Sequence, residues 1–307
     1  MQLRVSIGIC TWNRAESLKR TLESLARVRV PASVSWEVLV VNNRCTDTTN
    51  SVVEDFASLL PVVLLQEDMP GKSHALNRAS RVAQGQYIIW TDDDVLVDRA
   101  WLIAYVDAFR RWPESVVFGG PIKPVFEGQP PAWLREALPA VGNAYAALDL
   151  GPDPVVFDQQ HVPYGANMAI STVVQRAHLY DTTLGPVGDS GRRGEETMLV
   201  RQLLADGYEG RWVPNARVEH SIPEDRQTTA YLRKYFASQG RVFLTRDMPD
   251  DIPRLFGVPR WLWRQRIEAE VHFLIARVLA SPNVWVKHLE LAASAEGAIR
   301  ELRRRKV

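Results

Sequence analysis

Cysteine, long apolar runs and excess charge are all scarce in this chain. Two cysteines, Cys10 and Cys45, occur in 307 residues. That is too few for a disulfide framework, and no third ligand stands beside them for a metal; they read as small apolar fillers in a reducing compartment. Lys plus Arg number 37 and Asp plus Glu 36, a formal net charge of +1, so bulk nucleic-acid binding is not expected. No apolar run reaches the roughly 18 to 20 residues of a transmembrane helix. Val5 to Cys10 is apolar, but Thr11-Trp12-Asn13-Arg14 interrupts it too early for a signal peptide, and a cytoplasmic location follows as the expectation. No Gly-x-Gly-x-x-Gly follows the first apolar strand. Gly71-Lys72-Ser73 lacks the upstream glycine of a P-loop. These absences disfavour dinucleotide and P-loop chemistry. What is present is a globular composition, 46% hydrophobic and 24% charged, with chain enough for one or two domains.

The first 118 residues alternate strand and helix periods. Val5–Ile9, Glu37–Val41, Val62–Leu65, Tyr87–Trp90 and Val116–Phe118 read as strands. Leu18, Leu22 and Leu25 mark a helix after the first, with Asn13 as N-cap and Glu16 completing a capping box. Further helices are expected over roughly 48 to 60, from a Ser73 cap through Val82, and along Trp101, Leu102, Tyr105, Val106 and Phe109. Such alternation predicts a doubly wound, mostly parallel sheet with helices on both faces. Residues 119 to 194, rich in Gly and Pro, read as loops and short strands. A helix begins near Glu195 and ends before Gly207; strands follow near 208–213 and 216–220. From 230 onward the pattern is helical, broken at Pro249, Pro253, Pro259 and Pro282. The expected division is a domain over 1–245, with a nucleotide-binding half 1–118 and an acceptor-binding half 119–245, then a helical C-terminal extension over 246–307.

In an open α/β sheet, ligands bind outside the carboxyl ends of the strands. Here each of the first four strands ends in polar residues: Thr11, Asn13 and Arg14; Asn42, Asn43, Arg44 and Asp47; Glu67 to Lys72; and Asp92-Asp93-Asp94. The acidic triplet repels itself, and a hard dication such as Mg²⁺ or Mn²⁺ relieves that repulsion. If extended backbone persists, Asp92 and Asp94 share one side and Asp93 takes the other. The competing assignment is an acidic turn that caps the next helix. Lys72 opens a helix, where an anion is favoured, or is a solvated loop lysine.

The segments Ser6–Arg14, Glu37–Thr49, Gly71–Ala79 and Thr91–Asp94 resemble family 2 glycosyltransferases of the GT-A fold. The likeness continues through Gly119-Gly120-Pro121, Tyr164-Gly165-Ala166-Asn167-Met168, Gly194-Glu195-Glu196-Thr197 and Val218-Glu219-His220, over about residues 4 to 245. It is nearest to bacterial members that build polysaccharides or glycolipids. The resemblance implies a nucleoside-diphosphate sugar donor, usually UDP-linked, a Mg²⁺ or Mn²⁺ ion, inversion at the anomeric carbon, and a glycan or lipid-linked acceptor.

Carried over residue by residue, the resemblance places Thr11, Asn13, Arg14, Asn42, Asn43, Lys72, Asp92 and Asp93 around the nucleotide. Asn43 stands where the family usually has an Asp that reads uracil, a departure that exchanges an acceptor for an amide. Lys72 contacts the base or a phosphate, and Asp92 the ribose or a metal-bound water. Asp94 binds the metal with Asp92, and His220 ligates it or touches the pyrophosphate. Glu196 stands at the family's catalytic carboxylate, commonly Asp, with Glu195 as second choice; an inverting transfer needs one base for the acceptor hydroxyl. The plainer account of both is that they complement the positive end of a helix. Gly120, Tyr164, Gly165, Asn167 and Arg193 are expected in the acceptor and sugar pocket. Gly185 to Gly194, with Arg192 and Arg193, reads as a lid or a plain surface loop. Trp133 and Tyr164 stack on sugars or fill the core. The basic tail, Arg300 to Lys306, either lies on an anionic membrane or makes ordinary helical ion pairs. The rival readings are a non-catalytic nucleotide-sugar binding relative and another α/β nucleotide enzyme such as a sugar nucleotidyltransferase.

Overall fold

A computed structural model describes residues 2–185, 193–245 and 252–304. Arg192, Pro249, Arg305 and Lys306, singled out above, lie outside the described residues. Strand β1 (Leu3–Thr11) leads to α1 (Ala15–Leu25), β2 (Val34–Asn42) to α2 (Thr49–Asp55), and β3 (Val62–Gln66) to α3 (Lys72–Val82). Then come β4 (Tyr87–Asp92), β5 (Val95–Val97), α4 (Trp101–Arg111), β6 (Val117–Gly119), β7 (Ile122–Phe126) and α5 (Ala132–Val141). β8 (Met168–Ser171), α6 (Thr172–Ala177), α7 (Glu195–Ala205), β9 (Gly210–Trp212) and β10 (Val218–Ile222) follow. The chain closes with α8 (Thr229–Phe243), β11 (Arg254–Leu255), β12 (Val258–Pro259), α9 (Arg260–Leu279) and α10 (Pro282–Arg304).

Seven strands form the main sheet in the order β3-β2-β1-β4-β8-β6-β9. β1 to β4 run parallel, and β8 is antiparallel to both its neighbours. The apolar runs of β1, β2 and β4 supply both faces, because successive side chains point opposite ways. Ile7, Val38, Val40 and Ile89 face one buried cluster with α1 and α4, through Leu18, Leu22, Trp101 and Tyr105. Leu39, Val41, Ile88 and Trp90 face the other with α3 and α7, through Ala75, Leu76, Leu199 and Leu203. Each fully buried Leu or Ile adds about 1.5–3 kcal/mol relative to exposure. A second sheet, β5-β10-β7, sets β10 antiparallel to β5 with His220 opposite Val95.

Several local expectations give way to tertiary contacts. Asn13 is no N-cap: it sits at φ +51°, and α1 starts two residues later without a side-chain cap. The carboxylate of Asp47, from the loop after β2, accepts from the Ala15 N–H instead at 3.0 Å. Ser73 does not cap α3, which begins at Lys72 after Gly71; its hydroxyl donates to the Leu184 carbonyl. The helix expected over 48–60 is shortened to Thr49–Asp55. Within the stretch read as loops, α5 forms behind Pro130-Pro131, where proline is tolerated before the first turn.

By contacts the chain divides into two compact units. One comprises Met1–Val125, Ala146–Asp189 and Glu195–Ser221; the other comprises Phe126–Tyr145, Ser190–Gly194 and Ile222–Val307. The first holds the main sheet. The second is helical, with Leu134, Leu232, Phe236, Phe273, Trp285 and Leu289 buried between α5, α8, α9 and α10. No helix among the described residues is long and apolar enough to cross a membrane.

Candidate active site

The parallel strands deliver their polar ends to one edge of the first unit. The register sets Thr11 beside Asn42 and Cys10 beside Asp92. β4 stops at Asp92, and Asp93-Asp94 turn the chain into β5. That turn breaks the alternation expected of the triplet. Asp93 and Asp94 share a partner, the Arg14 guanidinium.

Arg14 Nη1 donates to Asp93 Oδ1 at 2.7 Å and to Asp94 Oδ2 at 2.8 Å. The Thr11 hydroxyl donates to Asp93 Oδ2 at 2.7 Å. His220 Nε2 lies 3.3 Å from Asp94 Oδ1. Asp93, Asp94 and His220 are all buried. Burial works against the Arg14 guanidinium, yet Asp93 and Asp94 together hold it above the ordinary arginine value. Burial pushes the Asp93 carboxyl up, opposed by Arg14 and the Thr11 hydrogen bond.

A second network lies alongside. Lys72 Nζ is 2.7 Å from Asp92 Oδ1 and 2.8 Å from Glu196 Oε1. Burial would lower the Lys72 ammonium, but Asp92, Glu196 and Glu195 raise it well above its usual value. Glu195 and Glu196 occupy the first turn of α7, where carboxylates are favoured. Glu195 is buried, and Glu196 is half-buried. Gly165 holds the other side: a Cβ there would stand 2.1 Å from Glu196 Oε1. So Lys72, Asp92, Glu196 and Gly165, distant in sequence, meet at one point.

Other candidates are drawn into the scaffold. Asn43 spends both amide hydrogens on the Glu67 and Met69 carbonyls, and its Oδ1 accepts from the Gly71 N–H. It shapes the loop between β3 and α3 rather than offering a donor to a base. Asn42 accepts from the Cys45 N–H and donates to Asn50. Asn13 Oδ1 accepts from the Thr46 N–H. Asn167, expected in the sugar pocket, is fully buried. It accepts from Trp101 Nε1 and the Tyr105 hydroxyl, and it donates to the Pro121 and Ala216 carbonyls. Its amide is therefore saturated inside the protein. Gly120 serves the same junction, since a Cβ there would meet the Ala216 carbonyl oxygen at 2.2 Å.

Tyr164 packs partly buried against the core, and burial raises its phenol. In the helical unit, Trp133 packs on Trp285 with ring centroids 5.2 Å apart, a core contact, and the Arg193 guanidinium lies over the Tyr235 ring. Cys10 is partly buried; burial pushes its thiol far up, which suits a filler. Asn77, within the Gly71–Ala79 segment, has a structural part that the sequence pattern alone does not assign. It donates to the Tyr180 carbonyl and accepts from the Tyr180 N–H, tying a distant loop to α3. An asparagine on the buried side of a helix was the available signal.

Among the described residues no three His, Cys, Asp or Glu side chains are grouped as a metal site. The Asp94 carboxylate beside the His220 imidazole supplies one oxygen and one nitrogen donor. That set fits Mg²⁺ or Mn²⁺ when phosphate oxygens and water complete the shell.

The fold and sequence both have relatives. The chain is 26% identical over 239 residues to the succinoglycan biosynthesis protein ExoM of Rhizobium meliloti, covering 76% of this chain and 71% of that protein. A mannosyltransferase of Pyrobaculum calidifontis, solved with GDP-Man and Mn²⁺, superposes with a TM-score of 0.63 at 20% identity, over 97% of this chain and 88% of the other. TarS 1–349 of S. aureus, solved with UDP, gives a TM-score of 0.57 at 14% identity, over 97% and 92%. The architecture is that of GT-A glycosyltransferases. With residues 6–162 matching the family model described as glycosyl transferase family 2, the chain belongs to that family.

Proposed function

We propose that this glycosyltransferase moves a sugar from a UDP-linked donor to a hydroxyl of a glycan or lipid-linked acceptor, with inversion. The observation that carries the proposal is Lys72, clamped between Asp92 at a strand end and Glu196 at the mouth of α7. It links a nucleotide-side carboxylate to a carboxylate placed to act as base. TarS solved with UDP supports the uridine assignment.

In the proposed step the acceptor oxygen forms a bond to the anomeric carbon as the bond from that carbon to the diphosphate oxygen breaks. The acceptor proton passes to the Glu196 carboxylate, and the electron pair leaves with the diphosphate. An arriving diphosphate competes for the Lys72 ammonium, which withdraws the cation from Glu196 and leaves the carboxylate to the acceptor. Arg14 offers a second cation beside the phosphates. Asp94 and His220 would hold the dication, which supplies charge neutralisation to the leaving diphosphate. Thr11 and Asp93 keep Arg14 in place.

Melting the protein with UDP or GDP, each with and without Mn²⁺, tests the donor half, because a ligand that binds only the native state raises the melting temperature. UDP with Mn²⁺ is expected to give the larger rise, and Asp94→Asn is expected to remove the metal-dependent part. An equal or larger rise with GDP overturns the uridine assignment.

A further inference from the structure

We infer that the solvent face of α9, together with the hairpin before it, is a docking surface for an anionic lipid bilayer. An amphipathic helix has one apolar face; α9 has two. Leu262, Ala269, Phe273 and Ala276 are buried against the rest of the helical unit. Ile267, Val271, Leu274, Ile275 and Val278 are exposed, and Val278 is 82% exposed. At 100° per residue these five fall within one stripe about 100° wide, opposite the packed face, and span about 16 Å of helix. No polar side chain interrupts the stripe from Ile267 to Val278. A helix apolar on both sides belongs between two apolar media. The protein supplies one.

The hairpin extends the surface. β11 and β12 are joined by a tight turn with Phe256 at its tip, 80% exposed and at φ +50°, a conformation that is costly for an aromatic residue. Leu255 and Trp261 beside it are 47% and 41% exposed. Exposed aromatics at the end of an apolar stripe match the headgroup level of a bilayer, where amphipathic rings are favoured.

Charge selects an anionic bilayer over a neutral protein partner. Val258 and Leu262 pack with Ala298, Ile299 and Leu302, so the C-terminal end of α10 lies at the hairpin end of α9. Exposed Arg260, Arg264, Arg300, Arg303 and Arg304 therefore gather at that end. Among the described residues there, Glu268 pairs with Arg264, Glu296 with Arg300, and buried Glu301 with Arg304, so five arginines against three acids leave an excess of two positive charges, from Arg260 and Arg303. Arginines flanking an apolar helix face draw it to anionic headgroups at roughly 1 kcal/mol each near the surface.

The test is flotation of the full chain with vesicles of phosphatidylcholine alone, or containing about a third phosphatidylglycerol. The expected result is co-flotation with the anionic vesicles only, weakened by salt. The double variant Leu274→Ser, Val278→Ser, which alters only exposed positions, is expected to float at least about tenfold less. Phe256→Gly, which also relieves the positive φ, is expected to float less as well. Melting temperatures that do not fall in either variant will show that the fold stands. Failure of the wild type to float, or flotation indifferent to these substitutions, overturns the proposal. So does a concentration-dependent dimer in sedimentation that Leu274→Ser, Val278→Ser abolishes, because a second copy is then the cover. The outcome does not depend on which donor or acceptor the enzyme uses.

Discussion

At the strand ends of the sheet unit, charges are gathered and matched to one another, whereas on α9 of the helical unit apolar side chains are gathered and left facing solvent. The first arrangement puts Arg14, Lys72 and His220 among Asp92, Asp93, Asp94 and Glu196. Opposite charges at such distances in a partly dry crevice offset desolvation only through close geometry, and removing one partner leaves the other exposed to the full cost. The second arrangement carries no such tension. Exposed Val278 or Leu274 can be replaced with little change in stability. Crowded, ion-paired charge thus distinguishes the edge proposed as the active site, and exposed apolar residues that the fold itself does not need distinguish the face proposed to meet a bilayer.

The sharpest way to break this contrast is at Glu196. Glu196→Gln keeps the side-chain length but removes the carboxylate proposed as base, one of the two carboxylates on Lys72. Turnover is expected to fall about 10²- to 10⁴-fold, the usual worth of a positioned base, while donor affinity changes by only a few-fold. Full turnover in that variant would move the base elsewhere, with Glu195 the next to test.

Asn167 gives the next largest effect, on stability rather than on chemistry. Asn167→Ala strands the Trp101 and Tyr105 donors and the Ala216 carbonyl in a buried junction, while the Pro121 carbonyl keeps the Val218 N–H. A loss of about 3 kcal/mol is expected, a fall in melting temperature of roughly 6–12 °C for a unit of this size. This residue also shows where sequence reasoning stops. The strand-helix alternation and the convergence of polar strand ends could be read from apolar periods alone, because those are local. Which polar residue faces the crevice and which is consumed inside could not. Asn43 and Asn167 look like ligand contacts along the chain and prove to be internal fasteners, since their partners lie 24 to 66 residues away. The turn at Asp93-Asp94 escaped for the same reason: pairing between β5 and β10, set by residues 218–220, ends the alternation there. Glu196 and Lys72 could each be picked out, but their meeting over Gly165 is a tertiary fact.

Gly165→Ala separates position from fold. The new methyl would press on the Glu196 carboxylate, the free end of a flexible side chain. The fold can accommodate that by moving the carboxylate, so the melting temperature is expected to change little. The proposed base then sits about an ångström from its place, and turnover is expected to drop roughly ten- to a hundredfold. A large loss of stability with unchanged turnover would show that Gly165 serves packing instead.

The smallest effect belongs to the helical unit, where Arg233 grips Glu270 through two bonds of 2.8 Å. About a third of each side chain remains exposed, so Arg233→Ala is expected to cost about 1 kcal/mol or less at neutral pH. Its pH dependence is the more telling reading. The hydrogen bonds from Arg233 hold the Glu270 carboxyl below its ordinary value of 4.5, against a smaller opposing push from burial. A carboxyl lowered in the folded state contributes stability fully above the unfolded value and loses it as pH falls through the folded one. The stability gap between wild type and Arg233→Ala should therefore stay constant above about pH 5 and close as acid protonates Glu270. A gap that persists in acid would assign the effect of Arg233 to its packing over the Phe273 ring, 5.6 Å from the guanidinium, and would extend to this salt bridge the rule that the helical unit rests on apolar contact rather than on charge.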